Sequence, residues 1–249
     1  MSEEIKNETE KTTTVNAETT EKKDDAKNQK ENKLEILVAI FLGITALLTA
    51  WATWIGSLHG GNQATNYTKS NNMASEGNSE YNAGMQMYLS DILAWNTMSE
   101  YLYELEIAKA KGDNISAELI QEKLDVYSEQ NFSEILEEAY NKMTDEMYSP
   151  FEVEGTTDKY FVTANEMLAE SQALLEEGQK DNANGDSYNL VNVIYSIVLF
   201  MLGIIGIFKR LPNRTVVFGI AVFFLVLATI YMCTIPMPTG FSFSSFFSH

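Results

Sequence analysis

The chain has 249 residues, 45% of them apolar, a formal net charge of −18, two His and one Cys. So acidic a chain offers phosphates no basic patch, which excludes nucleic acid as a partner, and the lone Cys233 excludes a disulfide framework or a cysteine-based metal cluster. Four prolines and no stretch of alternating apolar and polar residues argue against a sheet, so the expected fold class is all-α.

Residues 1–33 are Glu, Lys, Thr and Asn with almost nothing apolar, and are expected as a disordered tail because they bury too little surface to offset chain entropy. Residues 34–57, LEILVAIFLGITALLTAWATWIGS, are long and apolar enough to cross a bilayer. The length of this run and its long polar lead make it an uncleaved signal anchor rather than a cleaved signal peptide.

The next stretch, LHGGNQATNYTKSNN, has the composition of a loop. Its periodicity reads differently. With Ala64 at heptad position a, the a row is Ala64, Asn71, Asn78, Met85, Ile92 and Ser99. The d row is Tyr67, Ala74, Tyr81, Tyr88, Trp95 and Leu102, which is the seam of a coiled coil with two register-setting Asn. Glycine costs a helix about 1 kcal/mol per residue, but no Pro intervenes before Pro150. Continued backward, the same register passes through Ile36, Ala39, Gly43, Ala46, Ala50, Thr53, Ser57 and Gly60, all small after Ile36. The opposite face holds Leu37, Phe41, Ile44, Leu48, Trp51, Ile55 and Leu58, which suits lipid, while a small face lets another helix approach. One helix is therefore expected from residue 34 to residue 111, roughly 115 Å at about 1.5 Å per residue. Gly112-Asp113 is its first credible stop.

Two short amphipathic helices are expected over residues 113–150. One is capped by Ser116 and carries Leu119, Ile120, Leu124 and Tyr127; the other carries Phe132, Ile135, Leu136, Ala139, Met143 and Met147 and ends before Pro150. After a loop, Thr156 or Thr157 caps a last helix with Tyr160, Phe161, Ala164, Met167, Leu168, Ser171, Leu174 and Leu175 on one face. EEGQKDNANGDS, residues 176–187, resembles the earlier Gly/Asn stretch in composition and likewise abuts a span. It is expected to continue this helix antiparallel to the first. A long helical stalk topped by a small bundle, inserted between the first and second spans, follows.

Residues 188–208 and 215–235 are the second and third spans, joined by a turn over 209–214 and followed by an aromatic tail over 236–249. Lys22, Lys23, Lys27, Lys30 and Lys33 precede the first span, and Lys209, Arg210 and Arg214 lie in the turn, so both places are expected in the cytoplasm. Residues 58–187 and the C-terminus then lie outside. Residues 58–187 hold 25 acidic and 7 basic side chains, a net charge of −18, and read as a solvated, self-repelling surface. Sequons at Asn66, Asn114 and Asn131 fall in this segment.

AWATWIGSLHGGNQATNY (residues 50–67), ANGDSYNLVNVIYSIVLF (residues 183–200) and the Ile235-Pro236 end of the third span resemble an uncharacterised group of bacterial three-span membrane proteins with a helical extracytoplasmic domain. The resemblance implies the same architecture and supplies no catalytic residue.

Chemistry is sparse. Neither His59 nor His249 has a second ligand at metal-binding spacing, and no GxSxG, phosphate-cradling Gly-Lys loop or HExxH occurs. His59 reads as an interfacial polar residue, and no catalytic residue, cofactor or metal is expected. Tyr188, Asn189, Asn192 and Tyr195 at the start of the second span and Thr45, Thr49 and Thr53 in the first are polar groups that read as interhelical hydrogen-bonding residues. The expected function is a non-enzymatic, homo-oligomeric scaffold or interaction module of the cell envelope, partnered by the bilayer, by itself and by envelope proteins. An oligomeric channel, or a sensor acting through a partner, is the alternative.

Overall fold

A computed structural model describes residues 2–208 and 213–241, with side chains described from Gln29 onward. The fold is all-α, and among the described residues there is no strand. The helices are α1 (Ser2–Lys111), α2 (Asn114–Asn131), α3 (Glu134–Asn141), α4 (Thr156–Lys159), α5 (Val162–Ile207) and α6 (Arg214–Thr234), with a 3-10 turn at Pro150–Glu152. Parts of α1, α5 and α6 are long and apolar enough to cross a membrane, so the chain is a multi-pass integral membrane protein.

Neither Gly60 nor Gly61 interrupts α1. The backbone of residues 2–33, expected as a disordered tail, continues this helix, since no Gly or Pro precedes Gly43 to stop it. Gly112 does stop it, at φ 72°, a conformation open to glycine at little cost. Asp113, rather than Ser116, caps α2: its carboxylate accepts from the Ser116 N–H at 3.1 Å. Ser133 caps α3, which ends at Asn141 and not at the proline. The expected last helix starts in two pieces, with Gly155 at φ 76° before the single turn of α4, and α5 then runs unbroken from Val162 through residues 176–187 into the span.

Contacts divide the chain into two units, residues 1–63 with 179–249 and residues 64–178. In the first, Val38, Ala52 and Ile55 of α1 pack on Tyr188, Val191, Tyr195, Val198 and Leu202 of α5 and on Ala221, Leu225 and Ala228 of α6. Arg214 ties the start of α6 back to α5 by donating to the Ile205 carbonyl at 2.8 Å, so one of the last carbonyls of that helix is satisfied. Residues 209–212 of the expected turn and 242–249 of the aromatic tail lie outside the described residues.

In the second unit α1 and α5 run antiparallel at close range, the arrangement the sequence implies. The register differs by one residue. Ser70, Gly77, Gly84, Asp91, Met98 and Leu105 are the buried row, each one position before the expected a row, whose Asn71 and Asn78 are exposed. The reason is steric, since the two backbones come too close for Asn. Ser70 and Ser171 each donate a hydroxyl to the other's backbone carbonyl at 2.8 Å, and the Gly84 Cα faces the Tyr160 carbonyl. The expected d row fares better: Trp95 is buried, Tyr67, Ala74, Tyr88 and Leu102 are half-buried, and exposed Tyr81 still stacks on Phe161 at 4.8 Å. Trp95, Met98, Leu105 and Leu124 then form a core with Ile120, Phe132 and Tyr140. The face expected on the last helix is at least half-buried at every position named.

Candidate functional site

In the membrane-spanning part of α1 the expected seam is not the face that packs within the chain. Within one chain its packing face is Val38, Thr45, Ala52, Ile55 and His59, while Ala39, Gly43, Ala46, Ala50, Thr53, Ser57 and Gly60 are exposed, as is Ala64 beyond them. The large face expected to meet lipid is partly used inside: Ile55 is buried, and Phe41, Leu48, Trp51 and Leu58 are half-buried. Large side chains fill the space between α1 and its two partners better than Ala and Gly do, and dispersion contacts reward them for it.

The polar groups of the spans also differ from expectation. Thr45 and Thr49 donate to the Phe41 and Thr45 carbonyls of their own helix at 2.7 and 2.8 Å, so neither bonds between helices. Tyr195, read in the same way, does make an interhelical contact, its hydroxyl 3.0 Å from that of Thr229 on α6. Asn189 is exposed and Asn192 half-buried, lining with Ser196 and Phe200 a shallow groove along α5. The Asn192 side-chain oxygen is buried and accepts no hydrogen bond.

One titratable side chain of the first unit is buried in a built polar site. His59 is 1% exposed, its ring stacked on Tyr188 at 5.8 Å. Its Nδ1 lies 2.7 Å from Asp181 Oδ1 and its Nε2 lies 3.1 Å from the Pro236 carbonyl oxygen. The proline ends the helix and frees that carbonyl. A carboxylate and a carbonyl only accept, so the arrangement is satisfied in full when both ring nitrogens carry protons. The segment beyond is held further by the Asn62 amide donating to the Thr239 carbonyl at 3.1 Å and by Phe241 on Trp51 and Trp54. His59 is thus a clasp between α1, α5 and the segment after α6. The nitrogen a general base would use is occupied by Pro236.

Asp181 and the second cluster were illegible as sites in the sequence. In the second unit the buried Asp91 carboxylate accepts from the Ser133 N–H at 3.2 Å, the Ser133 hydroxyl, and the Tyr160 hydroxyl at 2.7 Å. Burial first, then the bond to Asp91 and its charge, push the Tyr160 hydroxyl above the usual tyrosine range. Both acids sit among residues that look like a solvated surface, and only long-range pairing reveals them. Among the described residues no three His, Cys, Asp or Glu converge as metal ligands.

Glu138 on α3 sits between Lys142, at 2.6 Å, and Lys159. Their hydrogen bonds and charges lower its carboxyl from 4.5 to about 2. A depressed acid stabilises the fold above its unfolded value, so this contribution is complete above pH 4.5 and lost as pH falls to about 2. Chemical-shift titration of the Glu138 carboxyl is expected to show a midpoint near the lower value, reverting toward 4.5 when both Lys142 and Lys159 are replaced by Met. The pair is exposed, so the effect on stability is small.

No protein-family model, curated protein or solved structure matches the chain.

Proposed function

We propose that the chain is a non-enzymatic, self-associating membrane protein, a scaffold or interaction module of the cell envelope. The observation that carries this reading is the small face of α1. A Cβ added at Gly43 or Gly60 would meet nothing within 4 Å among the described residues, so no close approach there accounts for either glycine. Each costs the helix about 1 kcal/mol relative to Ala. A small-residue face in a span is the surface on which another membrane helix packs, and a second copy is the simplest source of one.

The distribution of basic residues supports an orientation with the N-terminus and the α5–α6 turn in the cytoplasm and residues 58–187 outside. Self-bonded Thr45 and Thr49 weigh against a pore lined by threonine hydroxyls. The combined variant Gly43→Leu/Ala46→Leu/Ala50→Leu is expected to lower the mass of the full-length protein in detergent by disrupting the assembly. A monomeric parent, or an assembly unchanged by these three leucines, overturns the reading.

A further inference from the structure

The outer part of α1, in the second unit, has two apolar faces. One is buried and holds Asp91, Met98 and Leu105. On the opposite side of the same turns lie Leu89 at 52% exposed, Leu93 at 68%, Tyr103 at 70% and Ile107 at 37%. At 100° per residue these four fall within about 40° of one line, spaced four and three with Asn96 and Glu100 between them. Large apolar groups in an aqueous segment are costly when contiguous, and this row has no in-chain role to explain it.

We propose that this row is where α1 meets α1 of a second copy, side by side and in parallel. The proposal rests on the self-association argued above and locates it in the head as well as the span. Four observations select a second copy over another occupant. The spacing is that of a heptad seam, with Leu89, Asn96 and Tyr103 at d and Leu93, Glu100 and Ile107 at a, so the face complements itself in register. Asn96 meets its own equivalent and fixes that register, as a polar core residue does at a cost in stability. In a parallel pair the flanking Glu106 of each copy faces Lys111 of the other, a favourable charge match made twice. Both copies carry the seam on the helix that anchors them, so a shared bilayer presents it in one chain direction and at high effective concentration. Glu100 opposes itself and weakens the pair, which leaves the anchor necessary for association.

The test uses the full-length protein in native membranes, with Cys233 replaced by Ser. Single cysteines at Leu89, Leu93 or Tyr103 are expected to give a disulfide-linked dimer on mild oxidation, and one at exposed Lys109, on the far face, is not. Leu89→Glu/Leu93→Glu is expected to abolish crosslinking through Tyr103→Cys and to lower the detergent mass. Circular dichroism checks that this variant keeps its helix content; should it lose it, the single-cysteine pattern decides. A parent that assembles while Leu89, Leu93 and Tyr103 crosslink no better than Lys109 overturns this seam and leaves the self-association standing. A parent that is monomeric overturns both.

Discussion

Gly84→Ala is expected to destabilise the second unit more than any other single-methyl change in the chain. A Cβ at this position would lie 2.1 Å from the Tyr160 carbonyl oxygen and 3.1 Å from its carbon. Both are backbone atoms, so no rotamer change relieves the clash, and α1 must move away from the α4–α5 junction. That motion pulls on Tyr160, whose hydroxyl reaches Asp91, and on Tyr88, whose ring meets Tyr160 edge-on at 5.3 Å. Overpacking a close-packed contact costs about 1–3 kcal/mol or more. For a protein of this size about 1 kcal/mol lowers Tm by about 2–4 °C, so a fall of about 5–10 °C is expected in detergent by circular dichroism. The matched control is Gly203→Ala on α5, where an added Cβ meets nothing within 4 Å among the described residues. There the better helix propensity of Ala is expected to leave Tm unchanged or raise it slightly. Equal effects at the two positions would mean that α1 and Tyr160 are not in contact.

The helix through Gly60 and Gly61 was legible because periodicity outlasts composition: a seven-residue rhythm on both sides of the glycines left nowhere for the chain to turn. The stop at Gly112 was legible for the opposite reason, since Gly-Asp follows the last periodic residue. From the end of α4 into α5 the whole face from Tyr160 to Leu175 could be read, because it alternates large apolar residues with solvated ones. The register of α1 could not. There the contact is made by Ser70, Gly77 and Gly84, which carry almost no hydropathy, while Asn71 and Asn78 one residue later mimic a known core device. Where two backbones touch, the smallest residue marks the interface, and a scale built on apolar area misses it. The clusters were hidden for a further reason. Asp91 bonds Tyr160 at a separation of 69 residues and Asp181 bonds His59 at 122, so each acid looked like one more charge on an acidic surface until the helices were paired.

Breaking the His59–Asp181 pair from one side is expected to cost more than removing it altogether. In His59→Ala the Asp181 carboxylate remains buried with its partner gone, and the Pro236 carbonyl loses its donor as well. Loss of one member of a buried pair typically costs about 3–5 kcal/mol, because the remaining charge is stranded away from water. In His59→Leu/Asp181→Leu no charge is stranded, and replacing both members by apolar groups of similar volume is often close to neutral. The double variant is therefore expected to melt above both His59→Leu and Asp181→Leu alone, an ordering that two additive destabilisations cannot produce. Asp181→Asn separates charge from geometry: its amide oxygen can still accept from Nδ1, so a smaller loss is expected there than in Asp181→Ala. A second readout follows the clasp itself. Freed from His59, the segment carrying Thr239 and Phe241 loses one of its ties and keeps Asn62, the edge-on contacts to Trp51 and Trp54 and the Tyr188 hydroxyl on Met237. Amide exchange over residues 237–241 is expected to speed up in His59→Ala, with the indole fluorescence of Trp51 and Trp54 changing alongside it. If both single variants melt with the parent and the exchange is unmoved, the pair contributes nothing to holding that segment. If instead the double variant is the least stable of the set, the stability lies in the attraction of the pair and exceeds the cost of burying it.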